Sequence, residues 1–379
     1  MELFLQQNIN AISLGAIYAL FALGYAMVFS ILGVLNLAHS AIFMWGAFVG
    51  LLALDPEKAP LLINFILVGT PLTVIGMVVE YKFIQPGMNY TRSLHLAIQR
   101  LIALIIRVIW ITILALIGQQ IFIQLMPYFP ETLTILPVVA LIFASVAGGI
   151  LSIALEFLAF RPLRERKADR LAQLISSIGA ALILVNIAQF AFQAVYGRTE
   201  AFYPRDVTIF GIGTDPITLG ALTITPIRLM ILAIAIILMI VLQFMVQRTQ
   251  VGQQMRAVAF NEKIASLLGI DVSRIYILTF FLAGAFAGIA GILYGMTFLV
   301  TTPFIGENIA LIGLTAIVLG GLGSIQGALV GGFLVALIQT YSVAFGGSSY
   351  RDAIVFVLLF IMLLIRPQGL FGQPEQKRA

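Results

Sequence analysis

The sequence predicts an all-α protein, a polytopic bundle of transmembrane helices, on three observations. Of its 379 residues 61% are hydrophobic and 10% charged, with a mean hydropathy of +1.08, whereas ordinary soluble chains are about 25% charged. The apolar residues run in long unbroken stretches rather than in the alternating pattern of a barrel strand, so the backbone polar groups must be satisfied within helices. A crossing of a hydrocarbon core about 30 Å thick takes about 20 residues, which leaves room for on the order of ten crossings.

In order, the apolar segments are 9–30, 36–54, 61–80, 101–125, 135–159, 171–195, 226–247, 275–298, 307–321, 325–346 and 351–366. These eleven predict nine to eleven spans in a single transmembrane domain, 1–379. The first opens on Glu2 without the basic leader and small-residue cleavage site of a signal peptide, so it is expected to be a retained helix. The segment from Glu307 to Gly321 would rise only about 22 Å, which predicts a short, tilted or re-entrant element.

Lysine and arginine give the spans a direction. Fifteen of the 21 fall in one set of loops, clustered at 82–100, 161–170, 248–274 and 366–378, against Lys58, Arg198, Arg205 and Arg351 in the other. The positive-inside rule then predicts a cytoplasmic carboxyl terminus and an external amino terminus. The net charge of +5 alone could point to an anionic partner, but its distribution matters more than its sum; membrane lipid is an expected contact and no nucleic-acid partner is expected.

Several chemistries are excluded. There is no cysteine, and only His39 and His95 offer an imidazole, so no catalytic or metal-ligating set is expected. No Gly-Lys pair occurs, which removes a Walker A loop, so whatever energises this protein is not bound by a P-loop of its own. Gly321-Leu322-Gly323-Ser324 starts like a dinucleotide fingerprint, but the third glycine and the preceding strand are missing. Gly284, Gly288, Gly291 and Gly295 share a helix face, as do Gly323, Gly327 and Gly331. In a bilayer such rows mark close helix contacts.

The stretch from Gly252 to Asp271, between two spans on the basic side, predicts a short helix capped by Asn261 and stopped at Gly269. Ile264, Leu267 and Leu268 share its face, which fits either docking into a groove on another protein or lying on lipid headgroups.

With Asn36-Leu37-Ala38-His39, Phe160-Arg161-Pro162-Leu163-Arg164, Arg256-Ala257, Ala265 to Ile270, Val318 to Ile325 and Arg366 to Gly372, the chain resembles the permeases of branched-chain amino acid ABC importers, of the high-affinity leucine, isoleucine and valine type. The resemblance runs from end to end. It implies import of branched-chain or other neutral amino acids across the bacterial inner membrane, with urea and short-amide permeases as relatives. It implies as partners a homologous second permease, two ATPase subunits and an external solute-binding protein. It also implies that Arg256, Ala257, Asn261, Ala265 and Gly269 belong to a loop of about 248–274 that couples to an ATPase. The general permease pattern Glu-Ala-Ala-x-x-x-Gly is matched only at Ala265 and Gly269. Residues of about 81–134 depart from the family as an apparent extra pair of spans.

Polar residues inside hydrocarbon are expensive and usually face the bundle interior or a wet cavity. Asn36 and His39, after a glycine break, and the stripe Asn186, Gln189 and Gln193 are therefore pathway candidates. The competing readings are packing for His39 and interhelical hydrogen bonds for the stripe. Glu307 and Asn308 are expected at the mouth of the short segment, as helix caps or as contacts for a binding protein. An ion-coupled secondary transporter is the rival class, and it requires a paired acid and base near mid-membrane.

Overall fold

The computed structural model of the protein describes residues 2–55, 136–204, 217–219, 222–346, 350–366 and 368–372. The chain forms two compact units, Met1–Leu51 with Pro137–Ala379, and Leu52–Leu136. Most of the second unit, including the expected segments 61–80 and 101–125 and the extra pair of spans, lies outside the described residues.

Each of the other nine apolar segments coincides with a helix. They are α1 (Glu2–Leu32), α2 (His39–Leu54), α3 (Leu136–Leu155), α5 (Arg170–Tyr196), α6 (Pro226–Arg248), α9 (Val272–Phe298), α10 (Ile305–Gly320), α11 (Ile325–Gly346) and α12 (Arg351–Ile365). The short helices α4 (Arg161–Glu165), α7 (Gln250–Phe260) and α8 (Glu262–Leu267) carry loops. Among the described residues, six helices are long and apolar enough to cross a membrane. The all-α expectation needs one amendment, because strands β1 (Ala201–Phe202) and β4 (Val300–Thr301) pair antiparallel, as do β2 (Ile217–Leu219) and β3 (Leu222–Ile224). These pairs tie loop backbones together at one end of the helices.

Helix α1 is the axis of the larger unit, packed on α6, α9, α10 and α11. Its Ala16, Ile17, Leu20, Phe21, Leu23 and Tyr25 are fully buried, which explains why it is apolar all round. Small residues let backbones meet. Gly284 and Gly288 of α9 lie against Gly148 and Ala144 of α3, Gly291 lies against the Phe43 carbonyl of α2, and Gly295 receives the Tyr203 ring. Gly327 and Gly331 of α11 face Gly320 and Ala316 of α10. Gly323 does not share that contact. It sits in the turn between α10 and α11 with φ +79°, and a Cβ there would meet nothing closer than 3.6 Å, so left-handed backbone and not close approach selects glycine.

Helix α3 passes through a π-helical turn, Glu156–Phe160, into α4. The cause is Pro162, which has no N–H to give the carbonyl four residues back, so the register slips and the Arg161 amide bonds Glu156 O instead.

Two helices, α2 and α10, have 16 residues each and rise only about 24 Å. The chain does not start α2 at the end of α1. It turns back through Gly33, at φ +64°, and the His39 ring reaches Gly24, about two turns inside α1. Gly306 of α10 packs against the Ser40 carbonyl. The two short helices therefore begin beside one another inside the bundle. From there α2 runs with the second half of α9, through Gly46 on Gly288 and Gly50 on Ile292, while α10 runs the other way to Gly320.

The end where α10 stops is latched by the carboxyl-terminal motif. Leu370 N and Phe371 N donate to the carbonyls of Leu319 and Gly320 at 2.9 and 2.8 Å, so two of the last carbonyls of α10 are satisfied.

Candidate functional site

The end of the larger unit that holds the α1–α2 turn, α4 and the α10–α11 turn also holds the α7–α8 hairpin, and each of its bends has a local cause. Thr249 caps α7 by accepting from Gly252 N at 3.2 Å, and Gly252 fits against the carbonyls of Met245 and Val246 where a side chain would not. Asn261 then breaks the helix. Its side chain accepts from Lys263 N at 3.0 Å and Ile264 N at 3.1 Å, which caps α8. Gly269 at φ +82° ends it, Ile270 N closing on Ala265 O at 3.1 Å. Asp271 caps α9 through Arg274 N.

The hairpin is held from within and apolar without. Ala265 is buried, whereas Leu267 is 87% exposed, Leu268 74%, Phe260 72% and Ile264 49%. Phe260, the last residue of α7, adds to this exposed apolar surface across the break at Asn261, where helical spacing in the sequence carries no signal for it. Ala257 is part-buried and packs on the core. Arg256 turns back on the fold, its guanidinium donating to the carbonyl of Val246 at the end of α6.

Beside the hairpin stands an ion pair that the motif Phe160 to Arg164 conceals. Arg164 Nη2 donates to Glu156 Oε1 at 2.6 Å, with the Glu156 side chain fully buried and that of Arg164 18% exposed. The guanidinium also lies over the Tyr276 ring of α9, 3.7 Å from its centroid. A cavity of about 170 Å³ joins Arg164 and Tyr276 to Asn261 and Glu262. The π-turn on α3, the start of α9 and the hairpin thus share one polar junction.

Among the pathway candidates, Asn36 and His39 lie where α2 and α10 begin, and both are buried. His39 Nε2 meets the Phe21 carbonyl at 3.3 Å, and its ring packs on Phe21 and Tyr25 at 4.9 and 5.2 Å between centroids. The Leu37 amide donates to Ser177 Oγ of α5 at 3.2 Å, which ties the break to that helix.

The α5 stripe does not join them. Asn186 and Gln193 are exposed and Gln189 half-buried, between the outward Ile183, Ile187 and Phe190. Asn186 donates to Leu182 O at 2.7 Å and Gln193 to Gly197 O at 3.3 Å, so these amides are satisfied within their own segment and not by a neighbouring helix. Glu307 and Asn308 are exposed on the first turn of α10, at the depth of Ser40. They do not cap that helix, whose N-cap is Phe304 and has no side-chain cap.

The profile of the family described as branched-chain amino acid transport system, permease component, matches residues 8–363. The chain belongs to that family. The LivH permease protein of the high-affinity branched-chain amino acid transport system of Salmonella typhimurium is 30% identical over 380 residues, covering 99% of this chain and 97% of that protein. The BraD protein of the corresponding Pseudomonas aeruginosa system is 27% identical, covering 99% and 98%. The ribose import permease RbsC of Bacillus subtilis matches at 27% over 48% of this chain and 60% of its own length. No solved structure matches. As a member of this permease family the chain is a transport component.

Proposed function

We propose that this permease is one subunit of an ATP-driven importer that moves branched-chain or other neutral amino acids across the bacterial inner membrane. In this reading a homologous second permease completes the pore, one of two ATPase subunits docks on the α7–α8 hairpin, and an external binding protein delivers the solute. The chain itself binds no nucleotide and makes no covalent chemistry. The amino terminus is external, the carboxyl terminus and hairpin are cytoplasmic, and the eleven segments make nine to eleven spans, with α2 and α10 too short to cross as single helices and residues of about 81–134 as an added pair.

The observation that carries the proposal is the hairpin. It sets Ile264, Leu267 and Leu268 outward on a helix fixed by Asn261, Gly269 and the buried Ala265. A helix lying on lipid needs no such rigid mounting, whereas one that transmits a partner's movement to α6 and α9 does. Movement of the hairpin reaches the helix break through α9, which packs on both α7 and α2.

The relatives' names support the substrate class, and α10 supports the pore assignment. A carboxylate cannot face lipid at mid-depth without large cost. Exposed Glu307 therefore fits a wet pathway shared with the second permease, with Asn36 and His39 holding the break behind it. The rival ion-coupled transporter needs its acid and base near the middle, but the Glu156–Arg164 pair stands at the hairpin end.

Purification of the permease from its native host tests the proposal. ATPase subunits should copurify, and hydrolysis should rise with binding protein and substrate. Proton- or sodium-driven uptake of leucine by this chain alone in liposomes would overturn it.

A further inference from the structure

At the end of the bundle opposite the hairpin, a cavity of about 270 Å³ opens between α1, α6, α9, α11 and α12. Its wall carries two arginines, Arg228 from the first turn of α6 and Arg351 from the start of α12. Both are partly buried, and their hydrogen bonds go to neutral oxygens only. Arg228 Nη1 donates to Asn10 Oδ1, and Arg351 Nη2 donates to Tyr18 OH at 2.9 Å and Gln339 Oε1 at 3.3 Å. Among the described residues neither arginine forms a close ion pair, and the neighbouring exposed Asp352 acts on Arg351 through its charge without contacting the guanidinium.

Two further lining groups are buried and unsatisfied. Ser13 is 4% exposed and Gln339 fully buried, and Ser13 Oγ and Gln339 Nε2 have no hydrogen-bond partner. Both atoms can donate. Buried polar donors are normally paired, and partly buried cations are normally neutralised. Two guanidinium groups and two idle donors around one polar cavity lack the same thing, an oxygen-bearing anion. Guanidinium forks match carboxylate geometry in particular.

We propose that this cavity is a binding site for the α-carboxylate of the transported amino acid, taken up at the outer end of the bundle before the solute passes inward. The assignment rests on the importer reading for its ligand class and for which end is external. A lipid phosphate shares the oxyanion chemistry, so the test separates the two. The cavity lies at the lower edge of ordinary small-ligand sites, about 300–1,000 Å³, which suits one free amino acid.

The full-length permease in nanodiscs of phosphatidylcholine is titrated with L-leucine, with isoamylamine, which is leucine without its carboxylate, and with inorganic phosphate. Leucine should bind at least tenfold more tightly than isoamylamine, and Arg228→Gln and Arg351→Gln should each weaken leucine at least tenfold, with Arg351→Lys retaining part of the affinity. Should Arg351→Gln fail to give monodisperse protein, Ser13→Val, which removes an unpartnered hydroxyl, carries the same comparison with a several-fold loss. Absence of leucine binding, equal binding of isoamylamine, or unchanged affinity in the variants overturns the assignment. So does arginine-dependent retention of added phosphatidylglycerol without leucine binding, which marks a lipid clamp. Copurification with ATPases is scored separately, so its failure would fall on the importer reading and leave the titration standing.

Discussion

Gly306 lies against the carbonyl of Ser40, and through that contact two helices too short to cross a bilayer begin at one place and run to opposite ends of the bundle. Each helix amino terminus carries a partial positive charge, so the junction sets two such ends close together in a low-dielectric interior. Glu307, one residue beyond the contact, places a carboxylate on the first turn of α10, where it complements that charge.

A side chain at the contact should therefore be felt at once. Gly306→Val drives a branched side chain into the Ser40 backbone, an overpacking expected to cost about 1–3 kcal/mol or more. Gly179→Val in α5 is the control, since nothing lies within 4 Å of a Cβ there. The prediction is a lowered unfolding midpoint and aggregated protein on size-exclusion chromatography for Gly306→Val alone. Equal behaviour of the two variants would show that the junction is not closely packed.

Breaking the buried ion pair gives a second test. Glu156→Gln leaves Arg164 without its counter-charge under Tyr276, and removing one partner of a buried pair costs about 3–5 kcal/mol. Glu156→Gln combined with Arg164→Met should recover part of that loss, because no unpaired charge remains. A double-mutant cycle on the thermal midpoint reads the coupling, and simple additivity of the two losses would rule out the pair as a structural unit.

What the sequence made legible is local. Asn261 and Gly269 announce the two ends of α8 because capping depends on neighbouring backbone, and the rows at Gly284 and Gly327 announce contacts because periodicity survives folding. Depth was not legible: hydropathy sums composition over a window and does not register that α2 begins two turns inside α1. Nor was the sense of a face. Asn186, Gln189 and Gln193 share a side of α5, but spacing alone does not say whether that side looks inward, and here it looks out. The arginines of the outer cavity stand 123 positions apart, and only the packing of α6 on α1 and of α12 on α10 and α11 brings them to one wall.

The hairpin supplies the third prediction. Leu267 is 87% exposed and contributes little to folding, so Leu267→Glu should leave insertion and the thermal midpoint unchanged while abolishing substrate-stimulated ATP hydrolysis in the assembled importer. Gly269→Pro and Ala265→Asp should abolish coupling too. The first forbids the left-handed stop at φ +82°, and the second forces a charge into a buried methyl's place. Normal assembly and hydrolysis in all three would remove the hairpin from the coupling path.

Because the chain has no cysteine, single cysteines can report which exposed surfaces are wet without first clearing the background. The outer face of α5 is apolar at Leu182, Ile183 and Phe190, as expected for contact with lipid, whereas Glu307 and Asn308 stand exposed at the depth where α10 begins. Thiolates form and react in water far more readily than in hydrocarbon, so labelling rate measures hydration. Glu307→Cys in the assembled importer should react with a charged methanethiosulfonate at least tenfold faster than Leu182→Cys, and leucine with its binding protein should slow that reaction. Leu267→Cys should be labelled only from the cytoplasmic side in inverted vesicles, as the charge asymmetry requires. Protection of Glu307→Cys equal to that of Leu182→Cys would move the pathway away from α10. Labelling of Leu267→Cys from the outside would reverse the assigned orientation and, with it, the end of the bundle at which Arg228 and Arg351 receive the solute.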